Sequence, residues 1–257
     1  MEYTLEKEKE LKRKLDSLFQ TWDERMRKNG ATEEEMSYWC SDGFYPGYSL
    51  QKVKVLFIGR EPRYLADYNF IEITYEGIKK NEIGVKNKTL TVSQHPYFRK
   101  LFYITYGVNN NLCEKMPSAS EMTTSFGSED GISYAYMNLS KFSNETDGYA
   151  TNWKNVNRFL ALSEGEENLC NKEIQLLNPD IIITMNFENW RIKKYLGVIA
   201  KDYGRDDKGN IHKYDLQVGE KTIPLFDMWH FSAPGKKFEE CYYLPLRKFL
   251  EKNISEI

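Results

Sequence analysis

Apolar and polar positions along this chain recur at two periods, and the switching between them predicts an α/β protein. Leu5, Leu11, Leu15, Leu18, Phe19 and Trp22 form an apolar stripe among charged neighbours, which predicts a helix over residues 2–28 ended by Asn29-Gly30. Thr32 to Glu35 has the form of a capped short helix, and Ser41 to Gly47 is turn chemistry. Val53 to Ile58 is then an unbroken strand-forming run, of the kind buried on both faces of a sheet. Residues 64–88 show no sustained period and are expected to be an irregular connection, followed by a helix over 89–106 with Pro96 at its start or interrupting it. A second strand is predicted at 132–139. Further on come a helix at 169–177, a buried strand at 181–185 and a helix from about 187 to 196. Lys201–Lys213 reads as a hairpin or excursion, 214–218 and 221–226 as a hairpin, and 236–252 as a helix broken or delayed by Pro245.

These elements predict a three-layer αβα sandwich around a mostly parallel sheet, with strands near 53–58, 134–138, 181–185 and 221–226. The whole of 1–257 is expected to be one domain, with 1–50 an N-terminal helical extension. A length of 257 residues is enough to bury a substantial core.

Composition narrows the function less than charge distribution does. The net charge of −2 demands no polyanionic partner. Yet residues 51–110 hold ten Lys and Arg against five Asp and Glu, and 191–257 hold thirteen against ten, while 111–190 hold five against twelve. Two basic segments that converge would make an anion-binding face. Cys40, Cys113, Cys170 and Cys241 are too scattered for a zinc or iron–sulfur pattern, and the histidines are only three (His95, His212, His230). No metal and no other cofactor is implied. Without an apolar leader or a membrane-spanning run, a cytoplasmic monomer is the expectation.

Candidate chemistry gathers at strand ends, where open α/β sheets bind their ligands. Gly59-Arg60-Glu61-Pro62-Arg63 follows the first strand, and a carboxylate held between a Gly turn and a Pro suits general-base or electrostatic work. Asn138 stands near the end of the second strand, where its amide can either serve a loop or read a base edge. His230 follows the last strand. Aromatic residues (Tyr64, Tyr68, Phe70, Tyr75) are interleaved with Lys79, Lys80, Lys86 and Lys88, a composition suited to stacking on bases beside phosphates.

Leu56-Phe57-Ile58-Gly59-Arg60-Glu61-Pro62, Tyr136-Met137-Asn138-Leu139 and His230-Phe231-Ser232-Ala233-Pro234-Gly235 together resemble the three motifs of the uracil-DNA glycosylase superfamily, in order and each behind a strand. Asp180 to Met185 is similar to the Pro-Asp-hydrophobic strand between the second and third. The resemblance implies a glycosylase-like fold, no cofactor, and a DNA partner whose strandedness is open. It also implies hydrolysis of the N-glycosidic bond of uracil or a related deaminated base. It casts Glu61 and His230 as catalytic groups and Asn138 as the reader of the base. By the same resemblance Tyr64 and Phe70 stack on that base, while Gly59, Arg63 and Ser232 hold phosphates. Arg60 and Arg63 replace a glutamine and a tyrosine of the family pattern, and Phe231 replaces a proline. The tail Pro234-Gly235-Lys236-Lys237 lacks an apolar wedge. Those departures leave open a non-catalytic nucleic-acid or partner-binding protein on the same fold, and a different α/β hydrolytic or nucleotide-binding enzyme.

Overall fold

In the computed structural model, which describes residues 1–85, 88–147 and 150–254 (backbone alone from 252), the strand predicted at 53–58 lies in the middle of the sheet. The strands in chain order are β1 (Gly43–Phe44), β2 (Val55–Gly59), β3 (Ile83–Val85), β4 (Lys88–Leu90), β5 (Ala135–Asn138), β6 (Ile181–Met185), β7 (Val198–Arg205), β8 (Ile211–Val218) and β9 (Lys221–Met228). Seven of them form one sheet in the order β1-β5-β2-β6-β9-β8-β7, and β3 pairs with β4 in a separate hairpin. The four central strands β5, β2, β6 and β9 run parallel, and β1, β8 and β7 are added antiparallel at the edges. The four strands expected from the sequence are these four. After β2 the chain goes first to one neighbour, β5, and then to the other, β6. The loop leaving β2 therefore stands at a topological switch point, where a crevice opens.

Alternate residues of each strand feed two cores. Leu56, Ile58, Met137, Ile182 and Leu225 face one side. There they meet α1 (Glu6–Lys28), α2 (Glu33–Met36), α6 (Trp153–Leu162), α7 (Leu169–Leu177) and the turn α8 (Asn189–Arg191) with its π-helical continuation to Leu196. Val55, Phe57, Tyr136, Ile183 and Phe226 face the other side. They meet α3 (Phe70–Lys79), α4 (Pro96–Asn109), α5 (Ala119–Met122) and α9 (Leu244–Ile254). Helices thus cover both faces, as a three-layer arrangement requires. Leu15, Phe19, Trp22 and Met26 of α1 are buried in the first core, so the N-terminal helix is packed into the same body as the sheet.

The sequence reading needs three corrections. Residues 64–88 are not an irregular connection. Asn69 caps α3 by accepting from the Glu72 amide, and β3 opens a hairpin beyond it. The helix is short, and its buried Phe70, Ile71 and Ile78 leave too few turns for a period to register. Lys86 lies outside the described residues. The helix read from 89 begins instead at Pro96, since Pro is best tolerated at the first helical position and Thr89 and Leu90 belong to β4. An entire helix, α6, follows the Asn152 cap in a stretch where no element was expected.

Beneath the sheet edge lies a fully buried ion cluster. Lys141 Nζ donates to both oxygens of Asp42 at 2.7 and 2.8 Å, to Glu173 Oε2 at 2.8 Å and to the Asn138 carbonyl at 3.1 Å. Burial alone would lower the Lys141 pKa, but Asp42 and then Glu173 override it and hold the ammonium well above its ordinary value. Burial, reinforced by Asp42, pushes the Glu173 carboxyl well above its ordinary value, against the opposing pull of Lys141. Removing one member of such a cluster leaves charge uncompensated in the interior, typically costing ~3–5 kcal/mol. Lys141→Met should therefore lower the urea-unfolding free energy by about that amount. The triple replacement Asp42→Asn, Lys141→Met, Glu173→Gln should restore more than half of the loss. A single replacement without effect on the unfolding midpoint would show that the cluster does not hold the fold.

Candidate active site

The loop after β2 carries Glu61 into a cleft of about 580 Å³. Neighbouring elements fix its carboxylate in place. Asn144 Nδ2 donates to Glu61 Oε1 at 2.7 Å, and the Asn152 amide donates to the same oxygen at 2.9 Å. Asn152 is the cap of α6, so this carboxylate sits at a helix N-terminus, where negative charge is favoured. Glu61 Oε2 is buried and has no hydrogen-bond partner among the described residues. One oxygen is thus locked by two donors, while the other is buried with its acceptor capacity unused.

His230 lines the same cleft from the end of β9. The Ser232 amide donates to its Nδ1 at 3.2 Å, which leaves the ring hydrogen on Nε2. Burial, with added repulsion from Arg60, Lys100 and Arg63, lowers its pKa to about 4. At neutral pH His230 is an uncharged N–H donor. Phe231, standing where the family pattern has proline, is wholly buried against Phe57, Tyr97 and Tyr242. Lys100, also buried, donates to the Phe231 carbonyl and ties this loop to α4. Burial brings the Lys100 pKa down to about 8.

Of the other residues singled out in the sequence, Gly59, Arg63, Tyr64, Phe70 and Ser232 also line the cleft. Arg63 Nη2 donates to the Ala150 carbonyl at 2.7 Å and the Tyr64 hydroxyl to the Thr146 carbonyl at 2.8 Å. Phe70 stacks on Tyr136 with ring centroids 4.5 Å apart, so one of its faces is already covered. Ser232 uses its amide on His230. Arg60 reaches Thr151 Oγ1 at 3.0 Å and the Asn186 carbonyl at 2.8 Å, beside the Trp153 ring.

Asn138 is the one candidate that does not line the cleft. It is 1% exposed, and its Nδ2 has no partner among the described residues. Its backbone is held by the ion cluster, the amide donating to Asp42 Oδ2 at 2.6 Å and the carbonyl accepting from Lys141. Tyr136, two residues earlier on the same strand face, lines the cleft instead. Its hydroxyl is hydrogen-bonded to that of Tyr97. A Cβ added at Gly59 would lie 2.1 Å from Tyr136 Oη and 2.6 Å from Asn138 Oδ1, so only glycine admits both side chains there.

Sequence reasoning missed Tyr97, Tyr136 and His95. His95 caps α4, its Nδ1 accepting from the Phe98 amide at 3.4 Å, and it lines the cleft with the same neutral tautomer as His230. Burial lowers its pKa as well. The readable signal was His95-Pro96, a cap followed by proline at the first helical position.

No protein-family model matches the chain, and neither does any curated protein. Among the described residues no cluster of His, Cys, Asp and Glu could hold a metal ion, and no helix is long and apolar enough to cross a membrane.

Gly59→Ala should cost ~1–3 kcal/mol of unfolding free energy through overpacking. Combining it with Tyr136→Phe, which deletes the clashing hydroxyl, should recover part of that in a double-mutant cycle. Strict additivity would show that the two residues do not compete for space. His230 should titrate near pH 4 by NMR. Its folded pKa lies below its unfolded one, so its contribution to stability is complete above about pH 6.5 and is lost as pH falls through 4. The stability difference between wild type and His230→Gln should accordingly shrink on acidification across that window, and a constant difference would contradict it.

Proposed function

We propose that the protein hydrolyses the N-glycosidic bond of uracil or a related deaminated base in DNA, as its resemblance to the uracil-DNA glycosylase superfamily implies. The observation that carries the reading is Glu61 and a neutral His230 facing one cleft at the switch point of the sheet, one with an unused buried oxygen and the other with an N–H to give. Breaking the bond between C1′ and the base nitrogen sends the electron pair to the base and leaves positive charge on the sugar. Glu61 stabilises that cation and orients a water, whose oxygen bonds to C1′ while its proton leaves to the carboxylate or solvent. His230 donates from Nε2 to the base oxygen on which negative charge develops, a fixed donor that needs no reorganisation. A neutral imidazole serves this role over a wide pH range, because its protonation begins only near pH 4.

A second reading, a nucleic-acid or partner-binding protein that cleaves nothing, is favoured by the burial of Asn138 beneath Gly59 and by the Tyr136 ring on Phe70. Single-turnover assays on oligonucleotides with different lesions, followed by abasic-site cleavage, separate the two. The glycosylase reading expects excision of at least one lesion, slowed by His230→Ala on the order of 10²–10³ with little change in binding. If the wild type retains labelled DNA but leaves every lesion intact, the binding reading replaces it.

A further inference from the structure

The cleft lining falls into two chemical groups contributed by different elements. Strand-end loops supply Arg60, Glu61 and His230, whereas α3 and β3 supply an apolar wall of Ile73, Ile83 and Val85. Gly77 lets the two apolar elements close on each other, since a Cβ there would stand 2.9 Å from the Glu82 carbonyl oxygen. Ile73 is nevertheless 44% exposed, an apolar side chain left open beside a polar site. At about 580 Å³ the cleft falls in the size range that encloses a drug-sized ligand, roughly 300–1,000 Å³. An unsubstituted pyrimidine held at Glu61 and His230 would leave the apolar wall in contact with water. Nor is the Asn138 amide, the group able to select the uracil edge, presented to the cleft.

We propose that the site takes a nucleobase bearing an apolar substituent, an alkylated base in preference to plain uracil, with the substituent against Ile73, Ile83 and Val85. The base half of this proposal rests on the glycosylase reading, while the substituent half rests on the cleft wall alone. Recognition then depends on burial of alkyl surface, with His230 and the paired Tyr97 and Tyr136 hydroxyls meeting the polar edge of the base.

Two homologous ligand series test it by isothermal calorimetry without requiring any bond to break: 5-alkyl-2′-deoxyuridines and O6-alkyl-2′-deoxyguanosines, from the unsubstituted parent to butyl. In at least one series affinity should rise about fourfold per methylene, the transfer value for burying one such group. Ile73→Trp, which fills the apolar end, and Ile73→Asp, which makes it polar, should both flatten that rise. Ile73 is exposed enough that either variant should keep the wild-type melting transition. Affinity that is flat or falling with chain length in both series overturns the proposal. So does a rise that both variants leave intact, or an absence of nucleoside binding altogether. Excision of the same bases from oligonucleotides is measured in parallel. A rise in affinity without excision supports the substituent half and removes the glycosylase reading, while excision of uracil with two flat series does the reverse.

Discussion

One buried ammonium holds the geometry on which the site depends. Lys141 has no exposed side-chain surface and joins four separate parts of the chain. It grips Asp42 just ahead of β1, Glu173 on α7 and the carbonyl of Asn138 at the end of β5, and its charge lies 5.3 Å from the Trp22 ring of α1. An ion cluster this deep adds little net stability compared with a well-packed apolar one. What it does supply is a directional requirement: Nζ must find its acceptors at fixed angles, so the N-terminal segment, the strand end and the helix have one mutual arrangement.

The same cluster explains where Asn138 goes. Its peptide unit is held on both sides, by Asp42 at the amide and Lys141 at the carbonyl, so the strand end cannot swing to present the side chain. Gly59 opposite then has to accommodate Tyr136 and Asn138 together, and the larger residue reaches the cleft. The β2 loop is fixed differently, through Asn144 and the α6 cap on Glu61. One wall of the cleft is therefore set by a buried ion network and another by hydrogen bonds to a single carboxylate oxygen.

Much of the sheet was legible because its central strands are buried on both faces. A run such as Val53–Ile58 or Ile181–Met185 has few other uses in a chain of this composition. The Asn29-Gly30 pair that ends α1 was equally plain. Short amphipathic helices were not, since α3 and α6 span ten residues each and their stripes merge with aromatic loops. At the site, sequence order identified which residues stand at strand ends, and all but Asn138 line the cleft. It could not rank Tyr136 against Asn138, because a strand sends both to the same face and only the height of the side chain and the backbone opposite decide which one emerges. His95 escaped for another reason. It reaches the cleft from a helix start, far in sequence from every motif.

The two imidazoles bear on what kind of chemistry this cleft favours. Each ring accepts a backbone N–H at Nδ1, so each keeps its hydrogen on Nε2. Each is also held below its ordinary pKa by burial, with Arg60, Lys100 and Arg63 adding to the effect at His230. A site that moves protons at neutral pH needs a group whose pKa lies near that pH, and these two are held away from it. What the two rings can supply is stabilisation by fixed donors, which suits a leaving group that departs with its electrons and needs no proton from them. Glu61 lines the same cleft and keeps one buried carboxylate oxygen without a partner among the described residues. Such fixed donors beside a carboxylate are what supports the proposed cleavage of an N-glycosidic bond, a reaction whose difficulty lies in separating charge.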